Sequence, residues 1–251
     1  MTRTRLLNSY VDNLTMAESL EKIEIIIQNK IPTQHVVINA NKINLMAKDP
    51  KLAAIVNDSP LINADGSSIL LAGKILGKPL VERVTGIDLF MELLILCENK
   101  GYRPYFFGAT QEVIEEMLEI IQIDYPRIEV AGYRNGYFEE NYSLDIAQEI
   151  HKTKADILFV AFSSPKKEYW IHQYLSELNI PFVMGVGGSF DVLAGKTKRA
   201  PKIWQKFGME WVYRFMQEPK RMAHRYLIGN SVFLLHVCRE KFISKKDKVW
   251  V

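Results

Sequence analysis

Five short segments of this 251-residue chain place small and polar residues where a ligand would meet exposed backbone. They are Asn39, the run Asn63-Ala64-Asp65-Gly66, the run Gly108-Ala109-Thr110, the run Ser163-Ser164-Pro165-Lys166-Lys167-Glu168, and Gly187-Gly188-Ser189 with Asp191 close behind. Each follows an apolar run, and several open a helical pattern. A small residue at a helix start leaves backbone N–H groups open, and these bind phosphate. One such junction is no more than a turn requires. Five in one chain favour a phosphorylated ligand. Asp65 is the carboxylate to single out, past a strand end, beside Gly66 and ahead of a helix, with helix N-capping as its alternative role. Arg83, in the loop Glu82–Gly86, is either a pocket cation or one half of a surface ion pair.

Other chemistries lack their residues. Gly195-Lys196-Thr197 ends like a nucleotide-binding P-loop, but Phe190 stands where the first glycine belongs, and it equally spoils the Gly185-Val186-Gly187 start of a dinucleotide fingerprint. There is no Asp-x-Asp to hold a divalent metal and no Gly-x-Ser-x-Gly elbow. The five histidines show no metal-ligand spacing. The sequence therefore predicts neither a metal nor an organic cofactor.

The elements that must position these residues alternate. Apolar runs at His35–Asn39, Pro60–Asn63, Pro104–Phe107, Ile128–Ala131, Ile157–Phe162 and Pro181–Val186 read as strands covered on both faces. Helical patterns occupy Met16–Gln28, Lys42–Lys48, Ser67–Leu76, Ile87–Asn99, Gln111–Ile123, Leu144–Lys152 and Lys166–Leu178. This alternation predicts a doubly wound, mostly parallel α/β sheet of the Rossmann-like kind. Ligands in such sheets gather at the carboxyl ends of the strands.

The pattern changes after Gly195. Ala200–Gln217 and Pro219–Glu240 read as helices with no further strand, so residues 1–195 form the expected catalytic body and 196–251 a helical appendage. Charge changes at the same place. The body carries 18 Lys and Arg against 25 Asp and Glu; the appendage carries 14 against 4. A basic tail on an acidic body suits a polyanionic partner. Arg221 and Arg225 share a helix face at i,i+4 spacing, with Arg214 upstream and Trp204, Phe207, Trp211, Tyr213 and Phe215 interleaved. That composition fits a membrane-surface element, with packing on the chain's own body as the alternative.

Composition sets the remaining bounds. A hydrophobic fraction of 48% with 24% charged residues excludes a disordered chain. Cys97 and Cys238 form no CxxC and suit a reducing compartment. The first ten residues are polar and read as no signal peptide. No apolar run reaches the ~20 residues of a membrane span. A cytoplasmic protein peripheral to the inner face of the cell membrane is expected.

The order and content of these segments resemble one family, the WecG/TagA/CpsF glycosyltransferases of bacterial surface polysaccharide synthesis. The matching stretches are Asn39–Lys42, Asn63–Gly66, Glu82–Asp88, Tyr105–Gly108, Gly132–Phe138, Ala161–Glu168, Gly185–Gly195, Arg199–Pro201, Gly208–Arg214 and Gln217–Arg221. The resemblance implies an inverting, metal-independent transfer of a sugar, with N-acetylmannosamine expected, from a UDP donor to a polyprenyl-diphosphate-linked sugar in cell-wall, teichoic acid or exopolysaccharide synthesis. It implies Asp65 as base, with Asn39 and Arg83 in the same pocket. Donor-binding residues would be Gly108, Ala109, Thr110, Ser163, Lys166, Lys167, Glu168, Gly187, Gly188 and Asp191. Arg214, Arg221 and Arg225 would bind the acceptor's diphosphate. The appendage would meet the membrane, and a homo-oligomer is suggested. Two positions depart from the family pattern, Val37 for a common Thr and Lys167 for a common Gln. They bear on the donor sugar, with UDP-glucose or UDP-glucuronate as the alternative. A nucleic-acid-binding protein would account for the basic tail but not for Asp65 or the strand-end loops, so no nucleic-acid partner is expected.

Overall fold

The computed structural model describes residues 3–201, 203–204, 209–217, 219, 223 and 228–246. An N-terminal hairpin, β1 (Arg3–Leu6) and β2 (Ser9–Asp12), precedes the main sheet. The sheet strands are β3 (Thr33–Ile38), β4 (Leu61–Ala64), β5 (Pro104–Gly108), β6 (Gly132–Arg134), β7 (Ile157–Ala161) and β8 (Phe182–Gly185). Their order is β4-β3-β8-β7-β5-β6, and every pairing is parallel. The doubly wound α/β expectation is met.

Helices cover both faces, and the side-chain period of two sorts the strand residues between them. Phe106, Ile157, Phe159, Phe182 and Met184 face one layer, formed by α1 (Met16–Asn29), α5 (Gly86–Lys100), α6 (Gln111–Asp124) and α9 (Ser189–Leu193). Their neighbours Tyr105, Phe107, Leu158, Val160 and Val183 face α7 (Ser143–Lys152) and α8 (Lys166–Leu178) on the other side. Val36, Ile38, Ile62 and Ala64 continue that second face against α2 (Ala40–Met46), α3 (Pro50–Asp58) and α4 (Ser67–Ile75).

Local chemistry sets the helix starts. Thr15 and Glu18 form a capping box on α1. The side chains of Thr85 and Thr110 accept from backbone N–H groups at the starts of α5 and α6. Asp49 caps α3, with Pro50 in its first turn.

Several elements depart from the expected ones. The strand foreseen at Ile128–Ala131 lies instead at Gly132–Arg134. The Ile128 N–H closes a turn on the Tyr125 carbonyl, and the chain meets the sheet only where the Ala131 N–H donates to the Pro104 carbonyl. The hairpin and α3 were not foreseen. Arg3 pairs with Asp12 at 2.8 Å, and Asp12 accepts the Ile62 N–H, so polar contacts tie the hairpin to β4.

Beyond α9 the described residues include helices at Glu210–Gln217 and Gly229–Lys246 and no strand. The second helix lays Phe233 and Val237 into the cluster beside β3 and β4. The packing alternative therefore holds for this part of the appendage. Trp211, Met216, Leu235 and Phe242 stay exposed. No helix among the described residues is long and apolar enough to cross a membrane.

Candidate active site

Parallel pairing brings all the strand-end loops to one edge of the sheet. Ile38 pairs with Ala64, so Asn39 and Asp65 leave neighbouring strands side by side, and the Asp65 N–H donates to the Ile38 carbonyl at 2.8 Å. The Asn39 side chain accepts from the Lys42 N–H at 3.0 Å and starts α2. Asp65 is half-buried, and the N-cap position of α4 is Gly66, one residue further on. Gly66 has a φ of 99°, which a side chain would strain, and a Cβ there would stand 4.0 Å from that of Asn39.

Behind this pair lies a buried charge cluster. Lys42, in the first turn of α2, donates to Oε1 of Glu168 in the first turn of α8. Lys42 is 3% exposed and Glu168 2%. Ser164 Oγ donates to the same Oε1 at 3.1 Å, and Lys167 Nζ stands 3.7 Å from it. Oε2 of Glu168 is buried without a hydrogen-bond partner. Burial and the Lys167 charge bring the Lys42 ammonium down to about 8, against the pull of Glu168 and Asp65. Burial pushes Glu168 up, but Lys42 and Lys167 overcome it and hold the carboxyl below its ordinary range.

Lys167 links this cluster to the last strand. Its stem crosses the end of β8, where a Cβ on Gly185 would come within 2.7 Å of Cδ. Its ammonium reaches 3.8 Å from the point a Cβ on Gly187 would occupy. The residue at 185 must therefore be glycine for Lys167 to lie there. Asn39, Asp65, Lys167 and Gly187 thus stand along one edge of the sheet, with Lys42 and Glu168 buried beneath it.

The other expected residues sit around it. Gly108 ends β5 with its Cα against the Ala161 backbone, and Ala109 accepts from the Gly136 N–H. Thr110 spends its hydroxyl on capping α6. Lys166 stands over two aromatic rings, its ammonium 4.9 Å from the Phe162 ring centre and 5.3 Å from that of Phe138. Ser163 is exposed, its carbonyl accepting from Lys167 N–H. The Gly188 and Asp191 pair stands at the start of α9. Arg83 donates to Glu210 of the appendage at 2.8 Å, Arg199 pairs with Asp88, and Asp88 also accepts from the Thr85 hydroxyl. Val37 packs against the start of α5, 3.7 Å from where a Cβ on Gly86 would sit. Arg221 and Arg225 lie outside the described residues, as does the side chain of Arg214. Among the described residues, no three His, Cys, Asp or Glu side chains converge as a metal site.

Lys42 is the member of the site that residue chemistry alone missed. The only signal was its place in Asn39-Ala40-Asn41-Lys42, three residues past a strand-end Asn. A second buried polar group lies lower in the sheet. His35 Nε2 contacts Asn63 Oδ1 at 2.9 Å, and Asn63 donates on to Ser19. Burial drives this imidazole down to about 4.

Comparison with known proteins agrees with this arrangement. The family model for glycosyl transferases of the WecG/TagA/CpsF family matches residues 4–247. A protein of Bacillus spizizenii, N-acetylglucosaminyldiphosphoundecaprenol N-acetyl-beta-D-mannosaminyltransferase, is 37% identical over 74% of this chain and 71% of its own. A Staphylococcus aureus protein of the same name is 31% identical over 94% of this chain and 92% of its own. With a match over nearly its whole length and the strand-end residues along one edge of the sheet, this chain belongs to the WecG/TagA/CpsF family of glycosyl transferases.

Proposed function

We propose that this enzyme transfers N-acetylmannosamine from a UDP donor to N-acetylglucosamine carried on a polyprenyl diphosphate, with inversion and without a metal ion. The observation that carries the reading is the pairing of β3 with β4, which sets Asp65 beside Asn39 at the open strand edge. The names of the relatives supply the transferred sugar and the acceptor.

Asp65 takes the proton from the acceptor hydroxyl as its oxygen bonds to the anomeric carbon. The bond from that carbon to the diphosphate oxygen breaks, and its electron pair leaves with UDP. A positioned base of this kind contributes about 10²–10⁴ in rate. The departing diphosphate needs fixed positive charge and N–H donors. Lys167 and the loops at Gly108, Ser163, Gly187 and Gly188 are assigned to it. Arg214, Arg221 and Arg225 are assigned to the acceptor's diphosphate, as charge-assisted partners. The exposed apolar residues of the appendage suit contact with the membrane that holds a polyprenyl chain.

The test is a panel of UDP-sugars offered with a lipid-diphosphate N-acetylglucosamine acceptor, with and without EDTA. UDP-N-acetylmannosamine should be the best donor, and EDTA should leave the rate unchanged. Preference for UDP-glucose or UDP-glucuronate would overturn the donor assignment. Activity lost to EDTA and restored by Mg²⁺ would overturn the metal-free mechanism.

A further inference from the structure

Gly185 ends β8, and the space its side chain would fill is taken by another residue. The three heavy atoms nearest to a Cβ at 185 would be Cδ, Cε and Cγ of Lys167, at 2.7, 3.1 and 3.2 Å. A Cβ and that stem cannot share the space. Gly185 is not among the glycines with positive φ, so room, not backbone conformation, is the reason for a glycine here. The stem that uses the room belongs to a largely buried cation. The Lys167 side chain is 12% exposed, and its ammonium stands 3.7 Å from Oε1 of Glu168, beyond hydrogen-bond reach. That oxygen already accepts from Lys42 and Ser164. No described residue takes a hydrogen bond from the Lys167 ammonium. It ends 3.8 Å from the point a Cβ on Gly187 would occupy, in the turn before α9. A largely buried ammonium with its N–H donors unspent is placed to receive an anion.

We propose that Gly185 is a positioning residue for donor binding: it leaves open the space through which the Lys167 stem crosses the end of β8, and so sets the ammonium at the Gly187 turn to take the donor's diphosphate. This rests on the reading of that edge as the donor's diphosphate site. Glu168 supplies a second restraint, as the counter-charge beside the ammonium. With alanine at 185, the flexible stem yields before the strand backbone does, and the ammonium leaves the turn with it. A residue without any functional group thus acts on the ligand through one lysine.

The test is a double-mutant cycle read by calorimetric titration of UDP, comparing wild type, Gly185→Ala, Lys167→Ala and the double variant. Lys167→Ala removes a charge-assisted contact to phosphate, so UDP affinity should fall about tenfold or more. Gly185→Ala should cause a loss of similar size, with an unfolding midpoint close to wild type. The double variant should bind UDP no worse than Lys167→Ala, because the change at 185 acts only through the lysine. Uridine, which lacks the diphosphate, should bind all four proteins alike, whereas a general disturbance of the fold would weaken it along with UDP. Full UDP affinity in a folded Gly185→Ala would overturn the inference, and so would losses that add in the double variant. Should Gly185→Ala fail to fold by itself, the double variant should still fold and bind UDP like Lys167→Ala, since the obstructing stem is gone. A double variant that also fails to fold would overturn the inference and make the glycine a structural one. If the wild type binds UDP no more tightly than uridine, the reading of this edge as a diphosphate site fails, and the inference falls with it.

Discussion

Two sets of ion pairs frame the strand edge, and they differ in their access to water. Lys42 and Glu168 are sealed beneath it, whereas Arg83–Glu210 and Arg199–Asp88 join the body to the appendage with side chains 15–34% exposed. Salt reaches the second set and not the first. The buried set keeps its charges paired with little exposure to solvent ions. The half-exposed set is open to screening, and the appendage has a separate apolar contact with the body through Phe233 and Val237. The same residue types thus stand dry in one place and open to solvent in the other.

The difference can be pressed hardest by breaking the buried pair on one side only. Lys42→Met leaves the Glu168 carboxylate buried without its main partner. It should cost about 3–5 kcal/mol of stability, far more than the double variant Lys42→Met/Glu168→Gln, which removes both charges. Urea unfolding at neutral pH measures both. A single variant no worse than the double would mean that the two residues are not coupled.

His35 extends the buried side of the comparison to pH. Its imidazole titrates near 4 in the folded protein and near 6.5 when unfolded. Below about 6.5 the unfolded chain binds a proton that the native state refuses. The stability is therefore complete above that pH and declines as pH falls toward 4, by ~3 kcal/mol in all. Protonation would place a second N–H at Nδ1, which is buried without a partner. Unfolding measured between pH 7 and pH 4 should show this decline, and a His35→Gln variant should flatten it. An equally steep decline in the variant would assign the effect to other groups.

The half-exposed set should yield the smallest effect. Glu210→Gln should change stability by under about 1 kcal/mol, and less still at high salt. A loss rivalling that of Lys42→Met would erase the distinction between the two regions.

Much of this architecture was legible in the sequence, for definite reasons. The runs at His35, Pro104, Ile157 and Pro181 are largely apolar because both faces of a parallel sheet are covered, and each overlaps a strand of the sheet. Strand β6 was misplaced because Ile128 and Val130 look like a strand yet pack as a loop against the α6 layer. The hairpin hid in a polar segment where only Leu6, Leu7 and Val11 reach the core. Asn39 and Asp65 were readable as strand-end residues, and parallel pairing did the rest. The Lys42–Glu168 contact spans 126 positions and the Arg83–Glu210 contact 127. Neither has a local signature. Each depends on where β8 inserts beside β3 and on how the appendage folds back.

The central claim is that Asp65 takes the acceptor's proton. Transfer by Asp65→Asn, measured beside UDP titration and thermal unfolding of the same preparation, tests it most directly. The account predicts turnover reduced about 10²–10⁴-fold, with UDP affinity and unfolding midpoint close to wild type. Turnover equal to wild type would contradict it and leave Asp65 a residue of the turn before α4.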